Sequence, residues 1–262
     1  MKHKIKLIAL DLDGTLLEHD KSVLPEVRIF LSKLVKRGVK ITTASGRPFD
    51  YQVRILEKNR LGRFSGFPHA IIANEQDIFL LAENKYEPLK EHNVFLRKKW
   101  EELLPLAKSI VSFELKRLAL MGIKVRKWPN TDEEILRRKI IGLLFENTYE
   151  AVLEERVLKR TLVSSLYCNR HFNLVQIMLS EAGKGNAVMK LARIWNIKPN
   201  EVLCIGDASN DLSMLNCNLG FIPATFRNAE NEVKNEVRRC NGYIASRPCG
   251  KGILEILSKF YY

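Results

Sequence analysis

Three short apolar segments of this chain run directly into polar clusters, and that pattern constrains the fold more than any other feature. Leu7–Leu10 stops at Asp11-Leu12-Asp13-Gly14-Thr15, residues 39–44 end in Thr42-Thr43-Ala44 and meet Ser45-Gly46-Arg47, and Val202–Ile205 meets Gly206-Asp207-Ala208-Ser209-Asn210-Asp211. Runs this short and this apolar read as buried strands. Helical patterns separate them: 24–36 (with Pro25 near its start and Gly38 closing it), 49–59, 186–196, a short one at 211–217, 229–240 and 252–260. Further strands read at 69–73 and 219–222. Strands that alternate with helices build a parallel sheet with helices packed on its faces.

The middle of the chain has another rhythm. Residues 89–120 are helical and charged, interrupted by Pro105. Strands then read at 123–128, 139–145, 161–167 and 172–178, with a helix at 149–158. That is an α+β unit with an antiparallel sheet. The expected fold class is therefore α/β: a Rossmann-like core, residues 1–82 and 178–262, with an α+β cap domain inserted at 83–177. Trp100 and Trp128 read as cap core.

Composition excludes several alternatives. At 46% hydrophobic and 28% charged, the 262 residues are too apolar for a disordered chain. No apolar run approaches the roughly 18–20 residues of a membrane span. The basic N-terminus resembles the start of an export signal, but the apolar stretch after it stops at Asp11, so export is not expected. Five cysteines (Cys168, Cys204, Cys217, Cys240, Cys249) include no C-x-x-C pair and no histidine at zinc spacing, the usage of a reducing compartment. The net charge of +13 invites a nucleic-acid reading, but the basic residues are scattered in short runs such as Arg97-Lys98-Lys99 and Arg137-Arg138-Lys139, as on a solvated surface.

In an open α/β sheet, ligands bind at the carboxyl ends of the strands. Asp11 and Asp13 stand there, two acids that need a metal or a partner on an otherwise apolar strand; alone, the same residues also make a polar turn. No further ligands follow at the spacing of a calcium loop. Ser45 and Gly46 before a helix make either a phosphate cradle or a helix cap. Lys184, between Gly183 and Gly185, can present an ammonium to an anion, but the segment lacks the first glycine and the hydroxyl of a Walker A loop. Asp207 and Asp211 flank Asn210 and offer hard oxygens suited to Mg2+, or an Asx-rich cap.

Taken together, DLDGTLL (11–17), the Ser45 loop, Lys184 and GDASNDLSML (206–215) resemble the haloacid dehalogenase-like superfamily. Within it they resemble the Cof-type, sugar-phosphatase branch with a C2-type cap. The resemblance covers the core; the cap matches in position and character. Where that family often has Asn-Gly, this chain has Asn74-Glu75-Gln76-Asp77.

The resemblance implies a Mg2+-dependent phosphatase acting on a small phosphorylated metabolite, such as a sugar phosphate, through an aspartyl-phosphate. Asp11 would be the nucleophile and Asp13 the general acid and base. Ser45 and Lys184 would bind the transferring oxygens. Mg2+ would be held by Asp11, Asp13 and Asp207, with Asp211 in support. Gly46, Arg47, Asn74, Asn210 and Arg170 would meet the substrate, with Asn169 and His171 as further readers in a cap that closes over the core; a polar loop between two cap strands is the alternative for 169–171. A phosphomutase on the same motifs, or a basic nucleic-acid-binding module on an inactive core, are the competing functions. The expected partner is a small phosphate ester, with no nucleic acid and no membrane, in a cytoplasmic monomer or homodimer.

Overall fold

The computed structural model describes residues 5–63 and 65–261; the basic residues 1–4, on which the export question turned, lie outside them. The chain forms two compact units, one running to Leu89 and resuming at Lys184, the other Lys90–Gly183. The divide thus falls after Leu89 and before Lys184 rather than at 82 and 178. Among the described residues no helix is long and apolar enough to cross a membrane.

The first unit begins with β1 (Leu7–Leu10), α1 (Pro25–Lys36), β2 (Lys40–Ala44), α2 (Phe49–Lys58), β3 (Ala70–Ala73), β4 (Asp77–Ala82) and β5 (Lys85–Pro88). The second unit contains α3 (Lys90–Leu120), β6 (Val125–Trp128), α4 (Asp132–Arg138), β7 (Ile141–Phe145), α5 (Thr148–Thr161), β8 (Leu166–His171) and β9 (Leu174–Leu179). The first then resumes with α6 (Lys184–Ile194), β10 (Val202–Ile205), α7 (Leu212–Leu215), β11 (Ile222–Phe226), α8 (Asn231–Arg239), β12 (Tyr243–Ala245) and α9 (Cys249–Tyr261).

Among the described residues the first unit's sheet has the order β12-β11-β10-β1-β2-β3-β4-β5. Pairing is parallel from β12 through β3 and antiparallel at β4 and β5. Every residue of β1 and β10 is fully buried, as strands covered on both faces must be. The chain steps outward from β1 through β2 and β3, then returns to the other side of β1 with β10. Between β1 and β10 the winding reverses, and such a switch point opens a crevice beyond the strands' carboxyl ends. Helix α1 illustrates the covering layer. Pro25 suits its first turn, Val27, Leu31 and Leu34 form its buried stripe, and Gly38, at φ +85, follows its end.

In the second unit the antiparallel sheet β6-β7-β9-β8 packs against α3 and α5. Trp100 is fully buried in that core and Trp128 packs against it. Helix α3 runs through Pro105 instead of breaking there. Its buried row of Leu96, Trp100, Leu104, Ala107, Val111 and Leu118 holds it in place, and burial at roughly 1.5–3 kcal/mol for each large apolar side chain outweighs the ~3 kcal/mol penalty of an internal proline.

Other boundaries also move. The strand expected at 219–222 is β11, displaced because Asn216 caps a 3-10 turn that ends at left-handed Gly220. The strand expected at 161–167 is β8, displaced because α5 continues to Thr161. Residues 169–171 therefore lie on a strand and not in a loop. Cys217 and Cys240, two of the five cysteines whose usage suggests a reducing compartment, form a disulfide with Cα atoms 5.5 Å apart. The pairing has no local signature, because β11 and α8 must fold back before the two thiols meet.

His69, just before β3, gives the fold a pH dependence. Its Nδ1 accepts the Ile41 N–H at 3.1 Å, a bond open only to an unprotonated nitrogen. Burial, and then the charge of Lys40, push its pKa from 6.5 down to about 4. Between those values the unfolded chain binds the extra proton and the folded chain does not, so stability falls as pH is lowered. His69→Asn keeps an acceptor that does not titrate. In urea unfolding at pH 7 and pH 5, the wild type should lose about 1–2 kcal/mol more than this variant, allowing for solvent screening. Equal losses would remove His69 as the cause.

Candidate active site

The carboxyl ends of β1, β2, β3 and β10 lead into this unit's clusters of buried polar residues, Asp11, Ser45, Asn74 and Asn210 with Asp211. Parallel register sets Leu10 beside both Thr43 and Ile205, so the segments that follow emerge at one edge. Beyond β1 the chain turns tightly: Thr15 N–H bonds to Leu12 O at 3.3 Å and Leu17 N–H to the same carbonyl at 2.8 Å. Gly14 makes that turn possible. Its φ is +82, and a Cβ there would stand 2.5 Å from Asp207 Oδ2. Gly206 is needed in the same way, since its Cβ would stand 2.5 Å from the Asp211 carboxyl carbon.

Lys184, at the first position of α6, is the centre of the cluster. It is wholly buried, and its Nζ donates to Asp11 Oδ1 at 2.7 Å and to Asp211 Oδ1 at 2.6 Å. A buried ammonium persists only if paired. Burial favours its neutral form, but Asp11, Asp211 and Glu75 overcome this and hold its pKa above the ordinary lysine value. The other oxygen of Asp211 accepts the N–H groups of Asp207 and Ala208 at 2.9 and 3.1 Å. Both Asp211 oxygens are thus engaged within the protein.

Asp207 is fixed from two sides. Thr15 Oγ1 donates to its Oδ1 at 2.7 Å, and its backbone carbonyl accepts the Glu230 N–H at 3.0 Å. Carboxylate oxygens of Asp11, Asp207 and Asp211 all lie within 4.8 Å of one another. Burial and then mutual repulsion push the Asp207 pKa up to about 7. Burial, only partly offset by Lys184, raises that of Asp11 well above the carboxylate range. Three carboxylates facing one ammonium leave negative charge uncompensated. An all-oxygen donor set of this kind fits a hard divalent cation such as Mg2+.

Asp13 lies in a more open position. Arg47 Nε donates to its Oδ2 at 2.8 Å and Lys21 Nζ to its Oδ1 at 2.5 Å. Partial burial would raise its pKa, but these two cations prevail and hold it below the usual value. Arg47 also lies over the Tyr51 ring, 4.9 Å from its centroid. Ser45 follows β2, its N–H bonded to Ile72 O at 3.0 Å and its Oγ accepting the Arg47 N–H at 3.2 Å. Buried Gln52 braces this loop by donating to Arg47 O and Ile72 O. Asn74 is buried with its amide on Asp77 Oδ2 at 3.3 Å, and Asn210 donates to Glu75 Oε1 at 3.0 Å.

The sheet edge thus carries Asp11, Asp13, Ser45, Gly46, Arg47, Asn74, Lys184, Asp207, Asn210 and Asp211. Arg170 belongs to the other unit. There it is buried on β8, with Nε on Glu155 Oε2 at 3.2 Å and Nη1 on Phe172 O at 2.9 Å, an internal brace of that unit. Thr15, Lys21, Gln52 and Glu75 were not singled out from the sequence. Two of them carried a signal there: Thr15 as the hydroxyl closing Asp-x-Asp-Gly-Thr, and Glu75 as the residue standing where the family often has glycine.

Known proteins resemble the chain across both units. It is 30% identical to YxeH of Bacillus subtilis over 230 residues, 80% of this chain and 83% of that protein. It is 27% identical to phosphoglycolate phosphatase 1 of Saccharolobus solfataricus over 258 residues, 97% and 95% of the two chains. The sucrose-phosphatase of Synechocystis sp. PCC6803, solved with sucrose and phosphate, shares the fold with a TM-score of 0.70 at 18% identity, over 98% of each chain. The family model of haloacid dehalogenase-like hydrolases matches residues 8–104 and 115–246. With most of its length inside that match, this chain belongs to the haloacid dehalogenase-like hydrolase family.

Proposed function

We propose that the protein is a Mg2+-dependent phosphatase that hydrolyses a small phosphate monoester, a sugar phosphate or related metabolite, through a phosphoryl group carried on Asp11. The observation that carries this reading is the buried bridge of Lys184 to Asp11 and Asp211 at the switch point, with Asp207 alongside. The names of two relatives, phosphoglycolate phosphatase and sucrose-phosphatase, support the substrate class.

In this mechanism Asp11 attacks the phosphorus atom and the alcohol leaves. Lys184 holds the Asp11 carboxylate in one orientation and offers its charge to the phosphoryl oxygens, as the Ser45 hydroxyl does with its proton. The Asp11 and Asp207 side chains and the Asp13 backbone carbonyl would hold Mg2+, and Asp211 shapes that site through Lys184 and the N–H groups of Asp207 and Ala208. When bound, the ion supplies positive charge that offsets repulsion between the anionic nucleophile and the anionic ester. Asp13 protonates the leaving oxygen and then takes a proton from the attacking water. Arg47 and Lys21, both partly exposed, exchange the Asp13 carboxylate for oxygens of the arriving ester, which frees Asp13 to carry that proton.

The test is phosphate release over a panel of phosphorylated metabolites, with Mg2+ and with EDTA, and without a bisphosphorylated activator. Release that needs Mg2+ is expected. Transfer between positions of one sugar without free phosphate would indicate a mutase instead, and full turnover in EDTA would remove the metal from the reading.

Metal affinity should also depend on pH. With its pKa near 7, Asp207 must give up a proton before it can hold a cation in acid. The Mg2+ affinity, followed by the rise in thermal midpoint, should therefore weaken below pH 7 by up to about tenfold per pH unit for each ligand that must ionise, Asp207 and the likewise raised Asp11. A pH-independent affinity would exclude Asp207 as a ligand that must ionise.

A further inference from the structure

Glu75 takes no chemical step in the mechanism above, yet it is built into the same edge. It stands in the turn between β3 and β4, where Ala73 pairs with Asp77 and the Gln76 N–H bonds to Ala73 O at 2.9 Å. Its φ of +66 lies in the left-handed region that side chains bearing a Cβ disfavour, and its side chain is wholly buried. A strained backbone that carries a buried acid is retained only where the surroundings hold it.

Those surroundings are the groups read above as phosphate-binding. Glu75 Oε1 accepts from Asn210 Nδ2 at 3.0 Å, and its backbone N–H donates to Ser45 O at 2.9 Å. A Cβ on Gly46 would stand 3.3 Å from the same Oε1. Glu75, with Asp11 and Asp211, also helps to stabilise the charge of Lys184. A brace for Asn210 requires only an acceptor, which a neutral glutamine supplies at lower desolvation cost. Besides supporting the charge of Lys184, the negative charge beside Gly46 and Asn210 opposes an anion bound there.

We infer that Glu75 is a positioning residue whose charge limits how tightly the Ser45–Lys184 cradle holds inorganic phosphate, so that product leaves the site. This rests on the phosphatase reading. Glu75 also orients the Asn210 amide, a role that depends on its acceptor and not on its charge.

The test compares wild type with Glu75→Gln, which keeps the acceptor, and Glu75→Gly, which relieves the left-handed backbone and folds without the strain. The probe is inorganic phosphate in the presence of Mg2+, measured by calorimetric titration and as a product inhibitor. Glu75→Gln should bind phosphate roughly tenfold tighter, the scale of removing one buried charge near an anion, with a fall in both KM and kcat as release slows. Glu75→Gly loses the Asn210 acceptor as well as the charge, so it should bind phosphate more tightly than wild type but by less than Glu75→Gln, and it carries the same test if the glutamine variant does not fold. Folded variants with wild-type phosphate affinity would overturn the role of Glu75 while leaving an active wild type a phosphatase. A wild type that neither releases phosphate from any ester nor binds it would overturn the phosphatase reading, and this inference with it.

Discussion

Asp11→Asn is expected to abolish phosphate release, lowering kcat on the order of 10^4-fold or more, while the protein stays folded. An amide cannot take the phosphoryl group, and removing a nucleophile costs far more than removing a group that only orients it. The fold should tolerate the change for a reason visible in the site. Asp11 is a buried carboxylate whose charged form is disfavoured first by burial and then by Asp211 and Asp207. Asparagine removes that repulsion and still offers an oxygen to Lys184, which keeps its bridge to Asp211. An unfolding midpoint within about 1 kcal/mol of wild type in denaturant titration would separate lost chemistry from lost structure. A variant that kept wild-type turnover would exclude Asp11 as the nucleophile.

Lys184→Met should have the opposite profile, with stability and activity both falling. The lysine is wholly buried and bridges two acids, one of them fully buried as well. Removing one partner of a buried ion pair leaves uncompensated charge, at about 3–5 kcal/mol. The loss should depend on pH. Burial already raises the Asp11 pKa against the pull of Lys184; without the ammonium, Asp11 takes up a proton still more readily in the folded than in the unfolded chain, so folding is favoured as pH falls through the acid range. The variant should therefore be further below wild type at pH 8 than at pH 5. The double variant Lys184→Met/Asp211→Asn should recover part of the loss without recovering activity. Urea unfolding at the two pH values checks both statements; a pH-independent deficit would mean that packing, and not charge, accounts for it.

Much of this core is legible in the sequence because its signals are local. Leu7–Leu10 and Val202–Ile205 are short apolar runs that end on acids, and α1 carries its proline, its stripe and its glycine in the expected positions. The parts that were missed depend on contacts distant along the chain or on weak turns. The β4–β5 hairpin turns on Glu83-Asn84, both at positive φ, where no glycine marks the turn. Helix α4 did carry a local signal: Thr131 accepts the Glu134 N–H, and acids fill its first turn. In the site, the carboxylates adjoin their strands and could be named. Lys21, Gln52 and Glu75 acquire meaning only once β1, β2, β3 and β10 lie side by side.

The charge of +13 needs no nucleic acid to account for it. Two of the positive side chains, Arg47 and Lys21, stand at the open side of Asp13, and a basic surface speeds the arrival of anionic esters in a way that weakens with salt.

The central claim is that a phosphoryl group passes through Asp11. Acid-quenched enzyme, stopped during turnover of the best phosphate ester and analysed by peptide mass spectrometry, tests it most directly. The account predicts the mass gain of one phosphoryl group on the peptide containing Asp11, absent in Asp11→Asn and, with an ester whose leaving group needs no proton, accumulating in Asp13→Asn, where the base for its hydrolysis is missing. A phosphoryl group found on another residue, or rapid turnover with no labelled peptide in any of the three proteins, would contradict it.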